Sequence, residues 1–117
     1  MVPGHEIIGI VEAVGANVVG FAPGDVAGIG CMVGSCQACR ECAEHTEQHC
    51  QKCVFTYNGT DATGAATQGG YSTHYTCNQK FVLRVPKNLD LAAAAPLLCA
   101  GITTYSPLRY YGLVRDA

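Results

Sequence analysis

Apolar and β-branched residues run from Ile7 to Val14, with Glu12 as the one charge, a pattern that predicts a strand. Gly15, Gly20 and Gly24 punctuate the next stretch, and Pro23-Gly24-Asp25 reads as a turn. Val26 to Val33 is small, apolar and glycine-rich, which suits a buried strand. A polar, cysteine-rich stretch then runs from Ser35 to Cys53, and Tyr57 to Gly70 is an aperiodic loop. Tyr71, Thr73, Tyr75 and Cys77 alternate on one face of a predicted strand. Phe81 to Val85 predicts another, ended by Pro86. The pattern then changes. Asp90 can cap a helix through Leu91-Ala92-Ala93-Ala94-Ala95, which Pro96 breaks. Thr103 or Thr104 can cap a second helix with Pro107 in its first turn. Strands first and helices last predict a mainly β domain over residues 1–90, a small β-barrel, followed by a helical segment over residues 91–117.

A hydrophobic content of 49% with 14% charged residues describes a globular chain, and 117 residues suffice for one modest core. Net charge is −2 with no basic cluster, so nothing points to nucleic acid or an anionic membrane. No apolar run is long enough to span a bilayer. Met1-Val2-Pro3-Gly4-His5-Glu6 lacks the regions of a signal peptide, so a cytoplasmic location is the default expectation. Without an export signal, eight cysteines are better explained as metal ligands than as a disulfide framework.

Cys36, Cys39, Cys42 and Cys50 are spaced C-x2-C-x2-C-x7-C. Short intervals on one loop can supply the four soft ligands of a closed structural zinc site. The segment over residues 35–53 carries Glu41, Glu44, Glu47, Gln48 and Gln51 and cannot fold around an apolar core of its own. Cys53 lies at C-x2-C from Cys50, and His45 and His49 are spare donors. Cys53 opens the more apolar run Cys53-Val54-Phe55, so Cys50 is taken as the fourth ligand. His5 alone reads as a structural histidine, and Cys99, inside an apolar run, as a core thiol.

The cysteine spacing resembles the structural zinc lobe of the zinc-dependent medium-chain alcohol dehydrogenases. Pro3-Gly4-His5-Glu6-Ile7-Ile8-Gly9 resembles that family's segment for the second catalytic zinc ligand. The run from Ala95 to Leu108 resembles the segment for the last one. The wording is typical of the cinnamyl alcohol dehydrogenase branch. The resemblance implies a GroES-like β-barrel catalytic domain with a zinc lobe. It implies His5 and Cys99 as catalytic zinc ligands, Glu6 as a neighbour that approaches the metal, and Thr103 near the nicotinamide ring. It implies hydride transfer between a primary alcohol and NADP, or reduction of an aldehyde.

The family places a further catalytic cysteine upstream of His5 and a cofactor domain downstream, and neither is found in these 117 residues. The chain is therefore expected to be an internal fragment of such an enzyme, inactive alone. A small-molecule alcohol or aldehyde is the expected partner, with room for a homo-oligomer. The rival reading is a stand-alone zinc-binding module acting through protein contacts. Cys31, Cys53 and Cys77 read as small, partly buried thiols.

Overall fold

In a computed structural model, residues 1–114 are described. The last three positions of the expected helical segment, 115–117, lie outside the described residues.

Strands β1 (Ile7–Ile10), β2 (Val26–Ile29) and β5 (Val82–Arg84) form an antiparallel sheet in the order β1-β2-β5. Its register pairs Ile7 with Ile29 and Ile10 with Val26 on one side, and Gly28 with Leu83 on the other. Strands β3 (Met32–Gly34) and β4 (Val54–Phe55) form a second, two-stranded sheet with an irregular register between Met32 and Gly34. Helix α1 (Arg40–Ala43) lies in the cysteine lobe, and α2 (Leu91–Ala94) and α3 (Ala100–Tyr110) close the chain. Among the described residues no single helix is long and apolar enough to cross a membrane.

The core lies between the three-stranded sheet, whose β1 and β2 pack on the C-terminal helical segment, and the residues around it. Ile29, Val85 and Ala94 are buried there. Burying an isoleucine contributes roughly 1.5–3 kcal/mol, so Ile29 is one of the larger single contributions. Gly28 and Gly30 let the backbone of β2 approach this layer. A Cβ on Gly28 would meet the Leu98 side chain at 3.1 Å, and one on Gly30 would meet the Leu98 carbonyl oxygen at 2.8 Å.

Four elements differ from the sequence expectations. β1 stops at Ile10 rather than Val14 because its partner turns away: β2 begins only after the Pro23-Gly24-Asp25 turn, where Gly24 has φ +93°. Val11 keeps two last backbone bonds, to the Asp25 carbonyl and from the Gly24 N–H. The run from Val26 to Val33 is split at Gly30-Cys31, where the chain leaves one sheet for the other.

Tyr71 to Cys77 forms no strand. The backbone beside it contains Pro3, which has no N–H, and Gly4, at φ +106°. The two segments meet through Gly69, Gly70 and Tyr71 bonding to the carbonyls of Val2, Gly4 and Pro3, and no ladder continues. α2 is capped as expected, with the Asp90 carboxylate accepting from the Ala93 N–H at 2.9 Å. α3, however, starts at Ala100, with Cys99 before its first turn, so Pro107 lies inside it. Thr104 does not cap; its hydroxyl donates back to the Ala100 and Gly101 carbonyls.

Candidate metal centres

The cysteine lobe hangs from the β3–β4 sheet. Met32 pairs with Phe55 and Gly34 with Val54, so residues 35–53 leave and return at one place. The two-residue spacing then acts through α1. Cys39 precedes the helix and Cys42 lies one turn on, so both thiols face the same side. Gln37 and His45 adopt positive φ, which folds the loop tightly before and after the helix.

The result is a cluster in which the sulfurs of Cys36, Cys39, Cys42 and Cys50 all lie within 4.8 Å of one another. Cys39 and Cys42 are 3.5 Å apart, and Cys36 and Cys42 are 3.9 Å apart. A tetrahedral ion with Zn–S bonds of about 2.3 Å holds its sulfurs about 3.8 Å apart. The donor set fits zinc in chemistry and in spacing.

Donors around the sulfurs favour the thiolate form. The Cys39 N–H reaches Cys36 Sγ at 3.3 Å and the Lys52 N–H reaches Cys50 Sγ at 3.3 Å. The Ala38 N–H, then the Cys39 thiol, pull Cys36 down to about 6. The Ser35 hydroxyl, 3.2 Å from its sulfur, holds Cys42 below the ordinary thiol value. At Cys39 the Cys42 N–H acts in the same direction, but burial and the neighbouring thiols outweigh it and push the group up to about 12. Four sulfurs this close cannot all carry charge without a cation among them.

Cys53 stands outside the cluster, half-buried, its thiol pushed up by burial. Neither His45 nor His49 belongs to it. The lobe is tied down at the 3-10 turn Gln79–Phe81: Lys80 Nζ lies 2.7 Å from Glu47 Oε1, an ion pair without ideal hydrogen-bond alignment.

A second cluster is assembled from distant parts of the chain. His5 and Cys99, 94 positions apart, meet in space, and Cys31 joins them. The donor atoms of all three lie within 4.8 Å of one another, and each residue is half-buried. An imidazole and two sulfurs are again a zinc-type donor set. His5 is held against Tyr57, with ring centroids 5.8 Å apart. Burial, then the contact with Cys99, pushes the Cys31 thiol up to about 11.

Glu6 is not among these donors. Its carboxylate accepts from the Ala100 N–H at 3.2 Å, fastening the His5-Glu6 pair to the residue after Cys99. Thr103 lies one helical turn beyond Cys99, with its N–H on the Cys99 carbonyl at 2.9 Å and its side chain exposed. Cys77 stands apart from both clusters, its thiol pushed up to about 11 by burial.

Cys31 carried no signal in the sequence because its neighbours are not its sequence partners. It comes directly after an apolar strand, and both His5 and Cys99 reach it through the fold.

The family described as "Alcohol dehydrogenase GroES-like domain" matches residues 1–87. A probable mannitol dehydrogenase from Fragaria ananassa is 53% identical over 113 residues, which are 97% of this chain and 32% of the relative. Cinnamyl alcohol dehydrogenase 8 from Arabidopsis thaliana is 52% identical, with the same shares covered. Among solved structures, a cinnamyl alcohol dehydrogenase from Sorghum bicolor superposes with a TM-score of 0.94 at 48% identity, covering 96% of this chain and 32% of that one. A Helicobacter pylori structure of CAD, complexed with NADP(H), also has a TM-score of 0.94, at 49% identity, covering 100% and 34%. The chain spans about a third of the length of these relatives.

Proposed function

Because the chain belongs to the alcohol dehydrogenase GroES-like family, we propose that it is part of the catalytic domain of a zinc-dependent enzyme that transfers a hydride between a primary alcohol and NADP. The observation that supports this most is the meeting of His5 and Cys99 across 94 positions. A stand-alone zinc module would need the lobe alone. A second donor cluster outside the lobe favours the dehydrogenase. The NADP(H) bound by the Helicobacter pylori relative supports the choice of cofactor.

In this reading Cys36, Cys39, Cys42 and Cys50 hold a structural zinc, whose binding contributes folding energy to a lobe with little core of its own. His5 and Cys99 hold a catalytic zinc, with Glu6 able to approach it on release from Ala100. A zinc ion there would polarise the substrate oxygen as a Lewis acid. The chain's own residues do the positioning. Tyr57 fixes the plane of the His5 ring, and the Glu6–Ala100 bond sets the distance between His5 and the start of α3. In this reading Thr103, exposed one turn after Cys99, meets the nicotinamide side.

A cleft of about 260 Å³ opens beside His5, between Phe55, Thr56 and Tyr57. Its aromatic walls suit a primary alcohol with an aromatic or aliphatic tail. We place the domain, as residues 1–90 followed by a helical exit, in a cytosolic enzyme, since metal-spaced thiolates need a reducing compartment. Net charge −2 without a basic cluster supports small-molecule substrates over nucleic acid, and a homo-oligomer is part of the same proposal.

The test is primary-alcohol-dependent NADP reduction by a full-length protein bearing these residues. His5→Ala and Cys99→Ser should each abolish turnover, while Cys77→Ser should keep it. Retained turnover in His5→Ala would remove the reading.

A further inference from the structure

We propose that Cys31 and Cys99 are the two halves of a redox switch: hydrogen peroxide joins them in a reversible disulfide that withdraws Cys99 from metal binding. The switch rests on the reading of Cys99 as a zinc ligand. In that reading His5 and Cys99 share the ion with the cysteine implied upstream of His5, so Cys31 is a spare thiol beside a ligand. Its sulfur lies within 4.8 Å of the Cys99 sulfur. A disulfide is about 2.05 Å long, so from 4.8 Å the sulfurs close by at most about 2.8 Å. Cys53 and Cys77 belong to neither cysteine cluster.

Both thiols stand at joints between elements, where that movement is available. Cys31 comes after the end of β2 at Ile29 and before β3 starts at Met32. Cys99 is the bend between the Ala95–Leu98 turn and α3, with φ −135° and ψ −69°. Its N–H makes a long bond, 3.4 Å to the Pro96 carbonyl. The backbones that carry the two thiols are nevertheless held together. Gly30 packs on the Leu98 carbonyl so closely that a Cβ there would come within 2.8 Å of the oxygen. The fully buried Thr56 holds the same turn: its hydroxyl donates to the Gly30 carbonyl and its N–H to the Cys31 carbonyl at 2.9 Å. The Glu6–Ala100 bond fastens the chain just beyond Cys99. The pair is thus preformed, and small side-chain rotations complete it.

The chemistry balances with hydrogen peroxide as the oxidant. Cys31 lines the cleft of about 260 Å³ with His5, Phe55 and Tyr57, and a molecule as small as a peroxide fits it. The Cys99 thiolate attacks one peroxide oxygen and the O–O bond breaks. The sulfur becomes a sulfenic acid, and the leaving hydroxide takes a proton from solvent as water. The Cys31 thiol then attacks the sulfenic sulfur. An S–S bond forms, the S–O bond breaks, and the hydroxyl leaves with the Cys31 proton as a second water. Two thiols are oxidised and one peroxide is reduced. A disulfide sulfur has lost the thiolate charge that binds metal, so the His5 site is short of a ligand while the bond lasts. Cys31 also protects Cys99, because a sulfenic acid with no resolving thiol goes on to a sulfinic acid that thiols do not reduce. A reducing compartment makes such a bond transient, as a sensor requires.

The experiment treats the zinc-loaded full-length protein bearing these residues with hydrogen peroxide, followed by elemental analysis and peptide mass mapping. The untreated wild type should hold two zinc ions per chain, one for each cluster. After peroxide it should lose one and yield a Cys31–Cys99 crosslinked peptide. Dithiothreitol with added zinc should restore both the ion and turnover. Cys31→Ala should hold two ions before treatment, since Cys31 is not a ligand, and its lobe zinc reports that it is folded. After peroxide it should lose one ion, carry sulfinic acid at Cys99, and fail to recover with dithiothreitol. Cys77→Ala should behave as the wild type.

Recovery of Cys31→Ala by dithiothreitol to the wild-type extent overturns the switch. So does a treated wild type in which Cys31 stays a free thiol, whether Cys99 is joined to another cysteine or not. If the untreated wild type holds two ions and peroxide removes neither, the switch fails and the catalytic reading survives. If the untreated wild type holds the lobe zinc alone, the catalytic reading fails and the switch with it.

Discussion

Replacing Gly69 by alanine should loosen His5 without touching it. Gly69, Gly70 and Tyr71 run across Val2, Pro3 and Gly4, with the Gly69 N–H on the Val2 carbonyl at 2.6 Å and the Gly70 N–H on the Gly4 carbonyl at 2.9 Å. A Cβ on Gly69 would stand 2.5 Å from the Gly4 carbonyl oxygen and nearer still to the carbonyl of Pro3. Real Cβ contacts are not found under 3.0 Å, so the two backbones must separate by at least 0.5 Å. The obstacle is backbone, which cannot rotate away.

Overpacking of this kind costs about 1–3 kcal/mol. The stiffer unfolded chain of an alanine variant offsets about 0.4–1 kcal/mol of that. A net loss of about 1.3 kcal/mol remains at the middle of these ranges, a factor of about 10 in the folded ratio. His5 is the next residue after the displaced Gly4, and a misplacement near 1 Å can cost about a hundredfold in rate.

The assay is the denaturant midpoint of the zinc-loaded protein, with zinc content alongside. Gly9→Ala is the control, since a Cβ on Gly9 meets nothing within 4 Å. If Gly69→Ala stays within about 0.5 kcal/mol of Gly9→Ala and keeps all its zinc, this close approach does not position His5.

Cys50→Ser should remove the lobe zinc and leave the Cys99 cluster's zinc in place, read as one ion lost per chain by elemental analysis. Asp90→Ala should cost about 0.5–2 kcal/mol through the lost cap on the Ala93 N–H, measured by thermal or denaturant unfolding. The Lys80 contact, then its own backbone N–H, hold the Glu47 carboxyl below its ordinary 4.5. A lowered folded value means this contribution is complete above pH 4.5 and is lost as pH falls below it. Lys80→Met should therefore lower stability at pH 7 and flatten the acid limb of a stability-against-pH profile. An unchanged acid limb would show that the pair is not coupled to folding.

The lobe was legible because its ligands are neighbours in sequence. Spacing alone selected Cys36, Cys39, Cys42 and Cys50, and α1 converts that spacing into a shared face. The Asp90 cap was legible for the same reason: its partner, the Ala93 N–H, is three residues away. The expected strand at Tyr71 to Cys77 failed because alternation reports a face but not a neighbour, and the neighbour here contains Pro3 and a positive-φ Gly4. The start of α3 was misplaced because Thr103 and Thr104 look like caps, whereas the bend at Cys99 begins the helix one turn earlier. Cys31 was invisible for a different reason. Its approach to Cys99 depends on Gly30 meeting the Leu98 carbonyl, a contact between distant segments that neither residue announces.

Anomalous diffraction at the zinc edge, from crystals of a zinc-loaded full-length protein bearing these residues, tests the two-centre reading most directly. Two peaks are expected per chain. One should lie among the sulfurs of Cys36, Cys39, Cys42 and Cys50, and the other about 2.0–2.3 Å from both an imidazole nitrogen of His5 and the Cys99 sulfur. A single peak in the lobe, with His5 and Cys99 bare, would contradict the catalytic site and leave only a zinc-binding module.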